Sequence, residues 1–360
     1  MARRCVNAPV HPVMDAITVL PLDDPAAWDA YVVAHRDATP FHSSAWCRAV
    51  TKATGHRCHA LAAYDAKGAM AGLLPLHHIR SPLFGQALVA TGFAVDGGML
   101  VGSKSVAAAL SEAAAGLART LGISSVELRG GPLPDGEGWR REDGTYAGFI
   151  RDLATDDEAE LLAIPRKQRA EVRKALESDL TVTTGHGAAE RRDHYRIYAT
   201  SVRNLGTPVF PKRLFDAVLD AFGDDADILT IREKGQPVAS VLSLYWRGAV
   251  MPYWGGGTAA ARKLRANELM YFALMRHARA KRCARFDFGR SKVGTGPWSY
   301  KKNWGFEPRP LVYSRWLAPG EAARDTNPNS AKYRLQVDLW KKLPLWAANR
   351  IGPLIARGLG

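Results

Sequence analysis

The residues best suited to chemistry cluster in one short segment, Tyr300-Lys301-Lys302-Asn303-Trp304-Gly305. A lysine ammonium held between two aromatic rings is fixed and partly dehydrated, which suits it to stabilise charge developing on a reacting oxygen. Lys301 is the candidate for that role, with Tyr300, Lys302 and Trp304 forming its surroundings; solvated loop charges are the competing reading. Asp96, in the turn Asp96-Gly97-Gly98, offers a carboxylate that could accept a proton, because turns at strand ends set carboxylates over clefts. Asp-Gly-Gly is equally a turn sequence in its own right. Arginines carry a rigid fork of donors that matches phosphate, which singles out Arg203 and Arg290. The run Arg166, Lys167, Arg169, Arg173 and Lys174 could bind phosphate too, or simply form a solvated helix face. Tyr253, with Tyr245, Trp246 and Trp254, reads as cross-strand pairs of a hairpin or as the lining of a sugar-binding cleft.

Other chemistries lack their residues. Gly255-Gly256-Gly257 has no following Lys-Ser/Thr and is neither a phosphate loop nor a dinucleotide fingerprint. There is no Gly-x-Ser-x-Gly elbow, and Cys47 has no histidine near it in sequence, so a covalent intermediate has no support. His56, Cys58 and His59, and the pair His77 and His78, lack zinc spacing, so no metal is expected.

The elements that must position these groups are legible around them. Ser240–Trp246 and Ala249–Trp254 read as a hairpin turning at Arg247-Gly248. A long helix comes next, over about 262–282, then a strand over 284–288. Such a unit buries the apolar side of its helix on the sheet, and the segment after its last strand lines a cleft. The same order occurs earlier: Leu61–Gly68 and Gly72–Leu76 form a hairpin, Val106–Leu121 a helix and Val126–Arg129 a strand. The offsets are 167 residues (235 − 68) and 160 residues (286 − 126). Offsets that nearly agree argue for duplication of a whole domain rather than a solenoid. Between the copies, 130–148 carries many glycines and reads as surface loop. Helices are expected over about 25–35, from Ser43 or Ser44 to Gly55, and over 165–177, 190–205 and 211–222. Residues 1–17 read as an irregular arm.

A chain of 360 residues accommodates two domains: 1–150, 151–320 and a basic, tryptophan-bearing helical tail over 321–360. A hydrophobic content of 47% excludes general disorder. The formal charge of +14 favours anionic partners. Four scattered cysteines without a CxxC pair suggest reduced thiols and a cytoplasmic setting. No uncharged apolar run reaches membrane-spanning length. The tail, with Trp340, Lys341, Lys342, Trp346, Arg350, Ile351, Leu354 and Arg357, mixes anchors and cations as interfacial helices do. An anionic membrane surface is therefore a candidate partner; docking of the tail on the protein's own second domain is the alternative.

Three motifs carry a resemblance. Thr200-Ser201-Val202-Arg203 with Phe210 and Phe215, the glycine-terminated strand Phe286-Asp287-Phe288-Gly289, and Tyr300-Lys301-Lys302-Asn303-Trp304-Gly305 together resemble the Fem-type acyltransferases, over roughly residues 40–315. Within them the chain looks most like the proteins associated with exopolysaccharide and exosortase (PEP-CTERM) loci. The resemblance implies a mixed α/β (α+β) fold of two tandem acetyltransferase-like (GNAT) domains from an internal duplication. It implies acyl or aminoacyl transfer to an amine or hydroxyl of a phosphate-bearing saccharide or cell-envelope precursor, at a position peripheral to the inner membrane. The donor would be aminoacyl-tRNA or acyl-CoA, with no tightly bound cofactor. Lys301 would stabilise the reacting carbonyl and Arg203 would hold the acceptor's phosphates. A non-catalytic scaffold in polysaccharide export, and charge-driven nucleic-acid binding, are the competing classes.

Overall fold

Both halves of the chain share one order of strands and helices, apart from an extra two-residue strand in the first and extra short helices in the second, seen in a computed structural model that describes residues 17–134, 136–322 and 334–360. The first half runs β1 (Thr18–Pro21), helices Pro25–Ala34 and Ser44–Thr54, β2 (Cys58–Tyr64), β3 (Met70–Ser81) and β4 (Gly85–Ala90). A two-residue β5 (Leu100–Val101) on the side of β3, helix Lys104–Thr120, β6 (Ser125–Arg129) and β7 (Trp139–Asp152) complete it. After helices Asp157–Ala163 and Arg166–Leu176, the second half runs β8 (Leu180–Gly185), helices Ala188–Asn204 and Lys212–Phe222, β9 (Ala226–Glu233) and β10 (Gln236–Trp246). It continues with β11 (Ala249–Gly257), helix Ala266–Ala280, β12 (Arg285–Lys292), helix Gly296–Asn303 and β13 (Pro308–Leu317). The expected arm over 1–17 lies, but for Ile17, outside the described residues.

Local chemistry accounts for several boundaries. Asp24 accepts from the Ala26 N–H with Pro25 opening the helix, and Ser43 accepts from the Trp46 N–H, each satisfying a donor that the first turn leaves free. Gly55, at φ 71°, closes the helix that Ser43 starts. The single helix expected over about 262–282 is instead two, Ala259–Lys263 and Ala266–Ala280. Arg265 breaks it in a left-handed conformation, held by Glu171 at 2.5 Å.

The strands form one sheet in the order β1-β2-β3-β4-β6-β13-β7-β12-β11-β10-β9-β8. Each half contains a single parallel step, β4 beside β6 and β11 beside β12, which is the duplication in structural form. The last strand of each half is exchanged: β7 pairs with β12 of the second half, and β13 pairs with β6 of the first. β7 and β13 also pair with each other at the centre.

That exchange corrects the loop expected over 130–148. Residues 139–152 are strand, because neighbours on both sides satisfy the backbone donors and acceptors and override the glycines' weak strand preference. A hydrophobic cluster is likewise built from both halves, with Phe41, Trp46 and Val50 packed against Phe215, Val218 and Trp254. Helices Arg334–Lys342 and Leu345–Ala356 then lie against helix Ala188–Asn204 of the second half, and the turn Arg357–Leu359 that follows reaches β3 of the first. The Trp340 indole N–H donates to the Thr207 carbonyl at 3.0 Å, and His56 Nε2 meets the Arg357 carbonyl at 2.8 Å. The tail thus docks on the first half as well as the second. Among the described residues no helix is long and apolar enough to cross a membrane.

Candidate active site between the two halves

β11 and β12 run together only where Ala249 and Val250 face Arg285 and Phe286. Past that point the strands separate, and a cavity of about 430 Å³ occupies the gap. β11 lines it with Pro252, Tyr253 and Trp254, and β12 with Phe288, Gly289 and Arg290. The first half adds Phe93, Ala94, Val95 and Arg129, helix Gly296–Asn303 adds Lys301, and the tail adds Leu359 and Gly360. The site therefore needs both halves and the tail.

Lys301 is a buried cation on this cavity, 9% exposed. Its Nζ donates to the carbonyls of Gly289 at 3.2 Å and Arg290 at 2.9 Å, and lies 5.4 Å from the ring centres of both Phe149 and Phe288. An ammonium has three donors, so one remains for a ligand. Burial pushes its pKa down to about 8; nearby Asp287 opposes that shift and Arg290 adds to it. The flanking rings differ from those expected. Tyr300 points to a different side of the helix from its neighbour Lys301, and Trp304 follows the helix's last residue; both turn into the core beside Tyr271, with Trp304 fully buried. Phe149, on the exchanged β7, takes the place they were expected to fill. Lys302 points away from the cavity, its Nζ 4.6 Å from the Trp298 ring centre.

Arg290 lines the cavity. Its guanidinium stacks on Tyr146 at 4.5 Å and meets the hydroxyl of Tyr313, and it forms no ion pair among the described residues. A half-buried cation met, among the described residues, by rings and a hydroxyl is poised for an anion. Tyr253 also lines the cavity, but its hydroxyl is committed to the Phe93 carbonyl at 2.6 Å. Tyr313 holds the Val95 carbonyl at 3.1 Å, and Arg129 holds that of Ala94 at 2.8 Å. These three side chains fix the loop after β4 as one wall.

Asp96 stands just behind that wall. Its neighbour Val95 lines the cavity, whereas its own carboxylate packs against Gly130. Burial raises its pKa to about 6, the Gly97 N–H opposes the rise and Asp287 close by reinforces it. Asp287 accepts from the Gly289 N–H at 2.9 Å and is itself raised by burial, with Lys301 as a partial counter-charge. Arg203 is placed elsewhere. It donates to the carbonyls of Lys341 at 3.3 Å and Leu343 at 3.4 Å, bracing the tail instead of facing the cavity.

Arg129, Phe149 and the tail's Leu359 and Gly360 carry no sequence signal for the site. Arg129 spends its donors on Glu127 at 2.8 Å, Ala94 and the Gly360 carbonyl oxygen at 2.7 Å. A contact spanning 231 residues leaves no local pattern. The structure also brings together Cys47, Cys58 and His77, whose potential ligand atoms lie within 4.8 Å of one another. His77 Nδ1 accepts from the Gly92 N–H at 3.1 Å, which places the ring proton on Nε2. No lone pair of that tautomer is left for a metal, and the group reads as packed core.

Residues 166–302 match the acetyltransferase (GNAT) domain family. No curated protein is recognisably similar in sequence. Among solved structures, FemX superimposes with a TM-score of 0.64 at 14% identity, covering 84% of this chain and 97% of FemX. A tandem GNAT protein from the clavulanic acid biosynthesis pathway gives 0.53 at 14% identity, covering 85% of this chain and 100% of its own. L-PGS from Bacillus licheniformis gives 0.52 at 13% identity, covering 89% and 98%. The chain is thus built on a duplicated acetyltransferase (GNAT) fold of the kind FemX shows, with the matching domain in its second half.

Proposed function

We propose that this protein is a Fem-type acyltransferase that moves an acyl or aminoacyl group onto an amine or hydroxyl of a phosphate-bearing saccharide or cell-envelope precursor. The observation that carries the reading is Lys301, a buried ammonium with one donor free in a cavity at the separated ends of β11 and β12. In such a transfer the acceptor's nitrogen or oxygen attacks the donor carbonyl. Its C=O bond becomes an oxyanion that Lys301 is placed to stabilise. The carbonyl re-forms as the bond to the leaving oxygen or sulfur breaks, and the acceptor's proton passes to a base. Asp96 lies one residue behind the cavity wall, so its part would run through a water. Arg290, which pairs with no carboxylate among the described residues, suits the acceptor's phosphate.

Two donors remain in play. The exposed Arg166, Lys167, Arg173 and Lys174 suit aminoacyl-tRNA. Exposed Arg262 and Lys263, ahead of helix Ala266–Ala280, suit the pyrophosphate of acyl-CoA. The exosortase and exopolysaccharide setting rests on the sequence resemblance alone. The test is mass spectrometry of reactions with a panel of aminoacyl-tRNAs, acyl-CoAs and lipid-linked sugars. A mass gained on an acceptor with wild type and lost with Lys301→Met supports the proposal; no gain with any pair, or a gain indifferent to Lys301, overturns it.

A further inference from the structure

The last helix leaves a face uncovered that its own composition does not explain. Leu345–Ala356 turns Ala347, Ala348, Gly352 and Ala356 inward. A Cβ on Gly352 would stand 2.8 Å from the Val209 nitrogen, so the inner contact is close. Its outer face carries Trp346 and Leu354, each 73% exposed, and Ile351, 42% exposed. Leu339, on the preceding helix, is 66% exposed. Among the described residues every other tryptophan is buried or half-buried. Positions 346, 350 and 354 recur every four residues and form a single stripe, so Arg350 sits between the two apolar anchors. Lys341 and Lys342, both exposed, flank the stripe. Over 337–360 the charged residues are Asp338, Lys341, Lys342, Arg350 and Arg357, one acid against four bases.

We infer that this face is a docking surface for an anionic lipid bilayer. Apolar anchors interleaved with cations seat in the headgroup region, with tryptophan at the boundary and lysine and arginine on the phosphates. Charge complementarity selects that occupant over the others. A second copy of the chain packed symmetrically would set the same cations against themselves. A nucleic acid would use the cations and leave Trp346, Ile351 and Leu354 without apolar cover. The helix that docks leads directly into Leu359 and Gly360 on the cavity wall, so a membrane-borne acceptor fits the site. That last step rests on the acyl-transfer reading; the docking does not.

The experiment is co-sedimentation of the full chain with phosphatidylglycerol-rich vesicles and with pure phosphatidylcholine vesicles, alongside a tRNA-binding arm. Wild type is expected to bind the anionic vesicles at least about tenfold more tightly than the neutral ones, and to release in high salt. Trp346→Ser with Leu354→Ser should weaken anionic-vesicle binding roughly tenfold or more. Lys342→Glu with Arg350→Glu should abolish the preference for anionic lipid. All four side chains are exposed or half-exposed and outside the cavity, so an unchanged thermal melt establishes that both variants are folded. Absence of vesicle binding by wild type, equal binding by both folded variants, or loss of tRNA binding with vesicle binding intact would each overturn the inference. None of these readouts depends on catalysis, so transferase activity can fail while docking stands, and the reverse.

Discussion

The two parallel steps of the sheet have the same origin and opposite fates. At the first, β4 and β6 pair over Leu88–Ala90 and Val126–Leu128, and the chain then folds back to seal the gap. The N–H groups of Gly97 and Gly98 donate to the Arg129 carbonyl at 2.9 and 3.1 Å. A Cβ on Gly98 would lie 2.0 Å from the Gly130 oxygen, so backbone fills the space. At the second, β11 and β12 separate after two residue pairs, and helix Gly296–Asn303 sets Lys301 beside the opening. No helix stands between β6 and β7 among the described residues of the first half. The comparison teaches that duplication preserves the frame, whereas a site persists only where backbone hydrogen bonds do not close the gap.

The contrast breaks most directly at Lys301. Lys301→Met is expected to lower the transfer rate about 10²- to 10³-fold, the effect of losing one oxyanion donor, with the melting curve retained; undiminished turnover would erase the distinction between the halves. Arg290→Ala should raise the KM for an anionic acceptor roughly tenfold while kcat changes less, because ground-state binding is what it supplies. Gly98→Ala tests the sealed half. Urea unfolding should show a loss of about 1–3 kcal/mol from overpacking, while the folded fraction turns over normally.

Asp96→Asn sharpens the comparison through pH. The Asp96 pKa is raised from 3.8 to about 6 by burial, so its charged form is disfavoured in the fold. Its contribution to stability is present at low pH and is lost as pH climbs through about 6. The asparagine variant should therefore be more stable than wild type at neutral pH, by on the order of 3 kcal/mol, and equal to it near pH 3; thermal melts at the two pH values measure this. Activity should fall as pH passes about 8, where Lys301 loses its proton, and a flat alkaline limb would remove Lys301 from the chemistry. The smallest effect is expected of Arg203→Ala. Braced on tail carbonyls, it should shift acceptor KM by less than about twofold and loosen the tail, which hydrogen exchange would detect.

Much of the fold is legible in the sequence because it is local. Hairpin patterning, helix caps such as Asp24 and Ser43, and the recurrence of one element order reveal the duplicated frame. The aromatic-Lys pattern singles out Lys301. Tyr300 and Trp304 do not flank its ammonium because adjacency along the chain is not adjacency in space: Tyr300 leaves the helix on another side, and Trp304 follows its last residue. Arg203 departs from its expected role for a different reason. The tail it braces lies 138 residues further along, and no local pattern records that contact.

Two duplicated mixed α/β units, a cation next to a strand end and a basic, tryptophan-bearing tail come from the sequence by itself, since each rests on periodicity, spacing or composition within short windows. The tertiary structure alone decided that the halves exchange β7 and β13, that Phe149 rather than Tyr300 meets the ammonium, and that the tail walls the cavity. Those outcomes depend on long-range strand pairing and burial, which satisfy backbone groups and exclude water only once distant segments have met.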